Sequence, residues 1–441
     1  MKLDTSNKNF QKALDLVENQ KKSIFLTGKA GTGKTTFLKY FRERTKQKMV
    51  VLAPTGIAAI NAKGQTIHSF FSLSFGPLLV EDYQYHPDNL LETFKYSKTK
   101  VKLMKEMEIM VIDEISMVRV DILDMLDRIL KVVRKSPLLP FGGVQLIMIG
   151  DIFQLPPIVS DDLRPILSPY YKGPFFFSSN SYLDLNPVYV ELDKVYRQAD
   201  YDFVQLLNKV RVNHMKPSDY EQLNGRVNAK KFDNEHYITL ATHNHQVNHI
   251  NSTELAKLDG EVHLFKAKIE GNFSRSALPT EENLELKTGA QIMFIKNDMK
   301  EPRRFYNGSI GKIKSIDNKG IQVQIEDKEP FFAPKDEWEN VTYGWSPKNK
   351  KVSKNVLGTF NQYPIRLAWA ITVHKSQGLT FDYVEADLGK SFSEGQVYVA
   401  LSRCRTFEGL VLKSRIHPNA IKTNPHAIRF YKQQQLIDKN H

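Results

Sequence analysis

Gly28-Lys29-Ala30-Gly31-Thr32-Gly33-Lys34-Thr35 follows the apolar run Ile24-Phe25-Leu26 and leads into the amphipathic stretch Thr36-Phe37-Leu38-Lys39-Tyr40-Phe41. The octapeptide fits G-x-x-x-x-G-K-[ST] and lies where that pattern has meaning, between a buried strand and a helix. Its physics is local. Glycines let the backbone curl so that successive N–H groups face phosphates, at the positive end of a helix that begins near Gly33. Gly28, Ala30, Gly31, Thr32, Gly33 and Thr36 read as the cradle. Lys34 reads as the charge on the β- and γ-phosphates and Thr35 as the hydroxyl on a magnesium ion. The stretch predicts a nucleoside triphosphate site.

The rest of the chain sets that loop in context. At 441 residues it is too long for one ordinary core, so about two to four domains are expected. With 41% hydrophobic and 25% charged residues the composition is that of a soluble globular protein. Lysines and arginines number 62 against 49 acidic residues, and the balance of +13 favours a polyanionic partner. The single cysteine, Cys404, excludes a disulfide framework or thiolate metal cluster, suits a reducing compartment, and reads as a small structural residue. No apolar run approaches the ~18–20 residues of a membrane span, and residues 1–22 show no signal-peptide core. An intracellular location is expected, cytoplasmic in a bacterium.

Up to residue 192 short apolar strands alternate with helical segments, which argues for a mostly parallel sheet covered on both faces. The strands are expected at 23–27, 49–53, 109–112, 146–149 and 188–192, and four of them end where a functional-looking loop begins. Residues 61–105 are less periodic and are expected to insert a small lobe into a first domain of residues 1–190. A second α/β pattern starts near Tyr196, with a helix over 202–212 and a strand over 237–240. Residues 261–361 then change texture, with short alternating strands and turn signals such as Asn307-Gly308, and predict an inserted small β-barrel. The α/β pattern returns at 363–371 and 383–388, so the second domain is expected to be split, as 191–260 and 362–441.

Val111-Ile112-Asp113-Glu114 puts two carboxylates at the end of a buried strand. Behind a phosphate loop, the first holds Mg²⁺ and the second accepts a proton from the attacking water. Gly150-Asp151-Ile152-Phe153-Gln154-Leu155-Pro156-Pro157 follows another apolar strand, and Gln154 is placed to bond the γ-phosphate or that water. A two-domain ATPase also needs positive charge delivered across its cleft. Arg197 and Arg403 are the candidates, and spacing alone leaves a structural salt-bridge role open to either.

The ordered set of these motifs resembles the Pif-type DNA helicases, in the RecD-like branch of superfamily 1. The residues carrying the resemblance are the loop at 28–35, Ala53-Pro54-Thr55-Gly56-Ile57-Ala58-Ala59, Gly64-Gln65-Thr66-Ile67-His68-Ser69-Phe70-Phe71, Asp113-Glu114-Ile115-Ser116-Met117, and 150–157. They continue with Val195-Tyr196-Arg197-Gln198, Thr372-Val373-His374-Lys375-Ser376-Gln377-Gly378 within 367–380, and 396–403. Residues 116–136 are similar to the family's signature insert. The resemblance runs from Gln11 to Arg403 and implies two RecA-like parallel-sheet domains, with an SH3-like barrel as the insert that Ala290-Gln291-Ile292-Met293-Phe294 opens. It implies that Gln11 reads adenine, which favours ATP, that Glu114 is the general base, Gln154 the γ-phosphate sensor, and Arg197 and Arg403 the fingers. It also implies 5′-to-3′ movement by a monomeric motor and roles of the replication, repair, recombination, telomere or G-quadruplex type. Relative to larger members, the chain reads as a bare motor core.

Single-stranded nucleic acid is expected across the tops of both α/β domains, held through its phosphates. Thr55 and His68 from the first domain and Thr372, His374, Lys375 and Ser376 from the second are the expected track. Asn244 and Asn248 are further candidates for which helix capping is an alternative. The aromatic run Phe70-Phe71-Ser72-Leu73-Ser74-Phe75 is read mainly as core, and Tyr170-Tyr171 and Phe175-Phe176-Phe177 as structural. An ATP-driven clamp that does not unwind, and an RNA motor, stay open beside the DNA helicase.

Overall fold

The apolar runs become strands. In the computed structural model, which describes residues 7–439 except 75, 162, 197–199, 232–236, 274–277, 301–302, 306, 326–327, 347–350, 390 and 392, the α/β expectation holds. The chain divides into two compact units. One holds Met1–Tyr196, Val341–Asn355 and Asn424–His441, and the other Arg197–Asn340 and Val356–Thr423.

In the first unit, helix α1 (Lys8–Glu18) is capped by Asn7, whose side chain accepts from the Phe10 N–H, and it turns Phe10, Ala13, Leu14 and Val17 inward. Strand β1 (Ile24–Gly28) leads into helix α2 (Lys34–Arg44). Strand β2 (Met49–Ala53) precedes the short helix α3 (Gly56–Asn61). Strand β3 (Gln65–Thr66) and helix α4 (Ile67–Phe71) follow, then β4 (Ile109–Asp113), helix α5 (Val120–Arg134), β5 (Gln145–Ile149) and β6 (Val188–Leu192). The six strands form one parallel sheet in the order β3-β2-β4-β5-β1-β6.

Every position of β1 and β5 is buried, as a central parallel strand covered on both faces requires. One face packs Phe10, Val17, Phe37 and Phe41 onto Ile24, Leu26, Val111 and Ile147. On the other, the Phe25 ring meets Phe176, Tyr189 and Phe430, the last from the C-terminal helix Pro425–Lys439. The irregular stretch 61–105 begins by adding β3 to the sheet edge, a strand of only two residues, before it runs through α4 and the helices Leu90–Phe94 and Lys98–Glu106. The signature stretch is a short 3₁₀ turn followed by α5, with Val120, Leu123, Leu126, Leu130 and Val133 buried at helical spacing.

The second unit carries a smaller parallel sheet of β7 (Ile238–Ala241), β8 (Ala370–Thr372), β9 (Val384–Asp387) and β10 (Leu410–Leu412), in the order β8-β7-β9-β10. Helix α6 (Asn244–Lys257) follows β7, and α7 (Gln396–Leu401) lies between β9 and β10. Between β7 and β8 an antiparallel sheet orders Phe331–Phe332, Gly320–Gln324, Ile310–Asp317, Gln291–Phe294 and Ile365–Leu367. Its core is Ile292, Phe294, Phe305, Ile313, Ile321 and Val323, with the Phe294 and Phe305 rings stacked at 3.9 Å. Pairing of Ile292 with Leu367 keeps this sheet going past residue 361. Among the described residues no helix is long and apolar enough to cross a membrane.

Candidate functional site

The loop after β1 is built by close approach. Gly28 has φ +152°, and a Cβ there would lie 2.5 Å from Thr32 Oγ1 and 2.6 Å from the Leu192 carbonyl, so a side chain has no room. Gly31 and Gly33 take φ +81° and +90°, which a side chain would strain. Thr32 is buried and its hydroxyl donates to the Lys29 carbonyl at 2.9 Å, folding the loop on itself. Tyr196 closes the far side: its N–H donates to the Gly31 carbonyl at 2.9 Å and its ring lies beside Gly33. Lys34 arches back over the loop and donates to the Gly28 and Lys29 carbonyls at 2.6 and 3.0 Å. Ala30 is buried, Thr35 and Thr36 are exposed at the helix start, and Gln11 lies exposed on α1.

Gly33, the cap residue of α2, supplies no side-chain cap, and the positive end of that helix faces the loop, as an anion site at a helix start requires. This is the observation that fits a triphosphate to the loop. The nearby oxygen donors, the Thr35 hydroxyl and the Asp113 carboxylate, are the hard ligands that Mg²⁺ takes.

Register brings the carboxylates alongside. Leu26 of β1 pairs with Ile149 of β5, which pairs with Asp113 of β4. The loop and the carboxylates therefore leave the same edge of the sheet, two strands apart, or about 10 Å. Burial, then the neighbouring Glu114 charge, raises the Asp113 carboxyl to about 7; the Glu114 N–H, Lys34 and Arg42 oppose that rise. Lys34 is thus within electrostatic reach of Asp113. Glu114 sits at φ +53°, left-handed backbone that a non-glycine residue occupies at about 1–3 kcal/mol of strain. The 3₁₀ turn Ile115–Met117 follows it directly.

From β5, Gly150 approaches the backbone of Ser116 so closely that a Cβ would lie 3.2 Å from its nitrogen. That contact presses the loop holding Gln154 onto the carboxylate turn. Gln154 is buried, and its amide donates to Asp151 Oδ2 at 3.5 Å while its N–H bonds the Asp151 carbonyl at 2.9 Å. Asp151 and Tyr196, quoted only as members of longer motifs above, are thus the supports of Gln154 and of the loop. Their signal in the sequence was adjacency alone.

Thr55 and His68 also share an edge. Ala53 pairs with Thr66, and each of the two residues lies two positions beyond its partner. The Thr55 oxygen accepts from the Ala58 N–H at 3.2 Å, capping α3. His68 is half-buried on α4, and burial, followed by the Arg119 charge, holds its imidazole below the usual range, with Asp121 acting the other way.

The second sheet repeats this arrangement. Ala241 pairs with Thr372, so the start of α6 and the turn after β8 emerge side by side. Thr372 Oγ1 accepts from the Lys375 N–H at 3.3 Å. Lys375 is exposed, and His374 is half-buried with its imidazole lowered by burial. Asn244 and Asn248 are exposed, one helical turn apart on one face of α6. The α6 cap residue is His243, not either asparagine, so the capping alternative does not describe them.

One expectation needs correction, and a second residue has a structural role beside the expected one. Ser376 does not face outward: it is fully buried and its hydroxyl donates to the Val373 carbonyl at 2.7 Å, holding the turn rather than lining it. Arg403 is 1% exposed, and its guanidinium donates to the carbonyls of Val399 at 2.8 Å, Leu379 at 3.1 Å and Ser376 at 3.5 Å and to Ser402 Oγ at 2.8 Å. It ties the turn to α7 inside its own unit, and a finger role requires it to leave those acceptors. Arg197 lies outside the described residues, as does Phe75. Phe70, Phe71 and the Phe175-Phe176-Phe177 run are buried as core, whereas Tyr170 is 46% exposed.

Residues 3–218 match the family model described as PIF1-like helicase. The chain is 34% identical over 418 residues to the human ATP-dependent DNA helicase PIF1, covering 93% of this chain and 61% of that protein, so it spans less than two thirds of the human relative. It is 30% identical over 454 residues to the ATP-dependent DNA helicase Pif1 of Campylobacter jejuni, covering 94% of this chain and 96% of that one. The crystal structure of Bacteroides sp. Pif1 with ADP-AlF4 superposes with a TM-score of 0.88 at 38% identity, covering 97% of this chain and 96% of that chain. The same Bacteroides protein bound to single-stranded DNA gives a TM-score of 0.70 at 38% identity, over 98% and 97% of the two chains.

Proposed function

The chain belongs to the PIF1-like helicase family, and from that premise we propose that it is an ATP-dependent DNA helicase that moves 5′-to-3′ along single-stranded DNA. The observation that carries the reading beyond nucleotide binding is the Thr372–Lys375 turn. A second parallel sheet presents the His374 imidazole and the exposed Lys375 ammonium beside Asn244 and Asn248 at its carboxyl edge, a polar and basic surface that suits a phosphate backbone, with Thr372 buried behind it and its hydroxyl oxygen bonded by the Lys375 N–H.

In this reading the loop N–H groups and Lys34 hold the ATP phosphates, Gln11 reads the adenine, and Gln154 orients the attacking water. Glu114 takes its proton. Thr35 and Asp113 are the residues that would hold Mg²⁺, which supplies charge to the β- and γ-oxygens when bound. Arg197 and Arg403 are the arginines that family likeness assigns to the developing phosphate charge. Thr55, His68, Thr372, His374, Lys375, Asn244 and Asn248 grip the strand. Alternation in which unit holds the strand more tightly, timed by ATP, gives directional movement. We further assign it an intracellular location, tailed, forked or G-quadruplex DNA as substrate, and action as a monomer.

Strand grip is tested by titrating a labelled single-stranded oligonucleotide at several salt concentrations. Lys375→Ala is expected to weaken binding and flatten the slope of log affinity against log salt by about 0.7, the share of one phosphate contact. An unchanged slope would take Lys375 off the track.

A further inference from the structure

Helix α8 (Pro425–Lys439) belongs to the first unit, although the stretch that leads into it belongs to the second. Ala427 and Phe430 are buried and Tyr431 is half-buried, at the three- and four-residue spacing of a single helix face. The Phe430 ring stacks on Phe177 at 4.3 Å and meets Phe25 of β1 at 6.2 Å. The Tyr431 ring stands at 78° to that of Phe153, with the centroids 5.3 Å apart, an edge-on pair. One turn further along, Gln435 donates from Nε2 to Glu191 Oε2 of β6 at 2.8 Å, and the Glu191 carbonyl accepts from Asn9 Nδ2 on α1 at 3.0 Å.

Phe153 directly precedes Gln154, and both are tied to Asp151. The Phe153 N–H donates to Asp151 Oδ1 at 3.2 Å and the Gln154 N–H to the Asp151 carbonyl at 2.9 Å. Because Phe153 is buried, its ring moves only with its backbone or with the ring packed on it. Tyr431 therefore bears on the backbone that presents Gln154. The chain entering α8 is short and held at both ends. In the second unit the Lys422 carbonyl accepts from the N–H of Gly395, the cap residue of α7, at 2.9 Å, and Thr423 Oγ1 donates to the Arg211 carbonyl at 3.4 Å. In the first unit Asn424 Oδ1 accepts from the His426 N–H at 2.8 Å, and Pro425 opens the helix with its fixed φ.

We propose that Tyr431, acting through Phe153, is a positioning residue for Gln154, and that α8 relays the second unit's hold on a strand to that glutamine. The proposal rests on the strand-motor reading. Between the bonded Thr423 and the bonded Asn424 there is no slack to absorb a displacement, so movement of residues 422–423 is passed to the helix. The second unit that moves them carries the Thr372–Lys375 turn, and the helix that Gly395 caps is the one Arg403 bonds.

The test uses the full chain as wild type, Tyr431→Ala, Tyr431→Phe, Gln154→Ala and the double variant of Tyr431→Ala with Gln154→Ala. A further chain carries about four glycine and serine residues inserted between Thr423 and Asn424, enough to give the entry into α8 free play. ATP hydrolysis is measured with and without oligo(dT), beside the KM for ATP, oligo(dT) affinity and the melting temperature. Tyr431→Ala is expected to lower the strand-stimulated kcat about tenfold, with the KM for ATP and strand affinity at wild-type values. Tyr431→Phe keeps the ring and should keep the rate. In the Gln154→Ala background Tyr431→Ala should cost nothing more, because the two act as one unit. The inserted chain should hold its melting temperature and unstimulated rate and lose about threefold or more of its stimulation by oligo(dT). A wild-type kcat in Tyr431→Ala overturns the proposal. So does a loss that multiplies with that of Gln154→Ala, as a helix that only stabilised the fold would give, and so does full stimulation in the inserted chain. If Tyr431→Ala does not fold, the inserted chain decides. A wild-type rate in Gln154→Ala overturns the sensor reading itself, and the proposal falls with it.

Discussion

Glu114→Gln is expected to lower strand-stimulated ATP hydrolysis by about 10²–10⁴-fold, the usual share of a general base, while nucleotide and single-strand affinity stay near wild type. The amide has the shape of the carboxylate but cannot take a proton from water. The backbone that aims it is already set by the left-handed turn at 114 and the 3₁₀ turn behind it, neither of which depends on the charge. The substitution has a second, opposite-signed consequence next door. The Glu114 charge is one of the two causes that raise the Asp113 carboxyl to about 7, so removing it should bring Asp113 down and leave it more fully ionised at neutral pH. Nucleotide binding is therefore expected to be kept or tightened. Phosphate release and titration of a fluorescent nucleotide check the two halves separately, and wild-type turnover in the variant would move the base to another residue.

Arg403→Ala is expected to destabilise the second unit as well as to abolish turnover. An arginine finger that meets only phosphate can be removed with a rate loss of about 10³–10⁵ and an intact fold. Here the side chain donates to three carbonyls and a hydroxyl in a fully buried setting, and its loss removes those bonds and opens a cavity. A penalty of about 3 kcal/mol or more follows from that count. It should show as a lower melting temperature and as loosened protection of residues 376–379, which directly follow Lys375. A variant that melts at the wild-type temperature yet hydrolyses no ATP would assign Arg403 to the phosphates alone.

The contrast between Glu114 and Arg403 marks where the sequence was informative. A phosphate loop is a local object: glycines at 28, 31 and 33 and a lysine at 34 need only one strand and one helix, and the structure supplies both within a residue of the expected bounds. The central strands were equally legible, because a strand buried on both faces reads as an unbroken apolar run. Strand β3 was not, since two residues carry no period and its place is fixed by pairing with β2. The buried direction of Ser376 and Arg403 was hidden for a related reason. Both sit in a polar, basic stretch that looks solvent-facing, and only the turn geometry, closed by Ser376 on Val373 and by Arg403 on Leu379, turns them inward. Likewise nothing in the sequence singles out Asp121, Asp124 and Asp127 of α5, because the N–H groups that bond them, those of Leu78, Ser181 and Phe141, lie more than ten residues away.

The central claim is that the loop at 28–35 times the movement of a strand rather than serving a stationary ATPase. It is tested most directly by strand displacement with ATP, on duplexes that carry a single-stranded tail at the 5′ or at the 3′ end, in DNA and in RNA form. The account predicts displacement from the 5′-tailed DNA substrate, lost in Glu114→Gln. Hydrolysis stimulated by single strands without displacement from any of the four substrates would contradict it and leave an ATP-driven clamp.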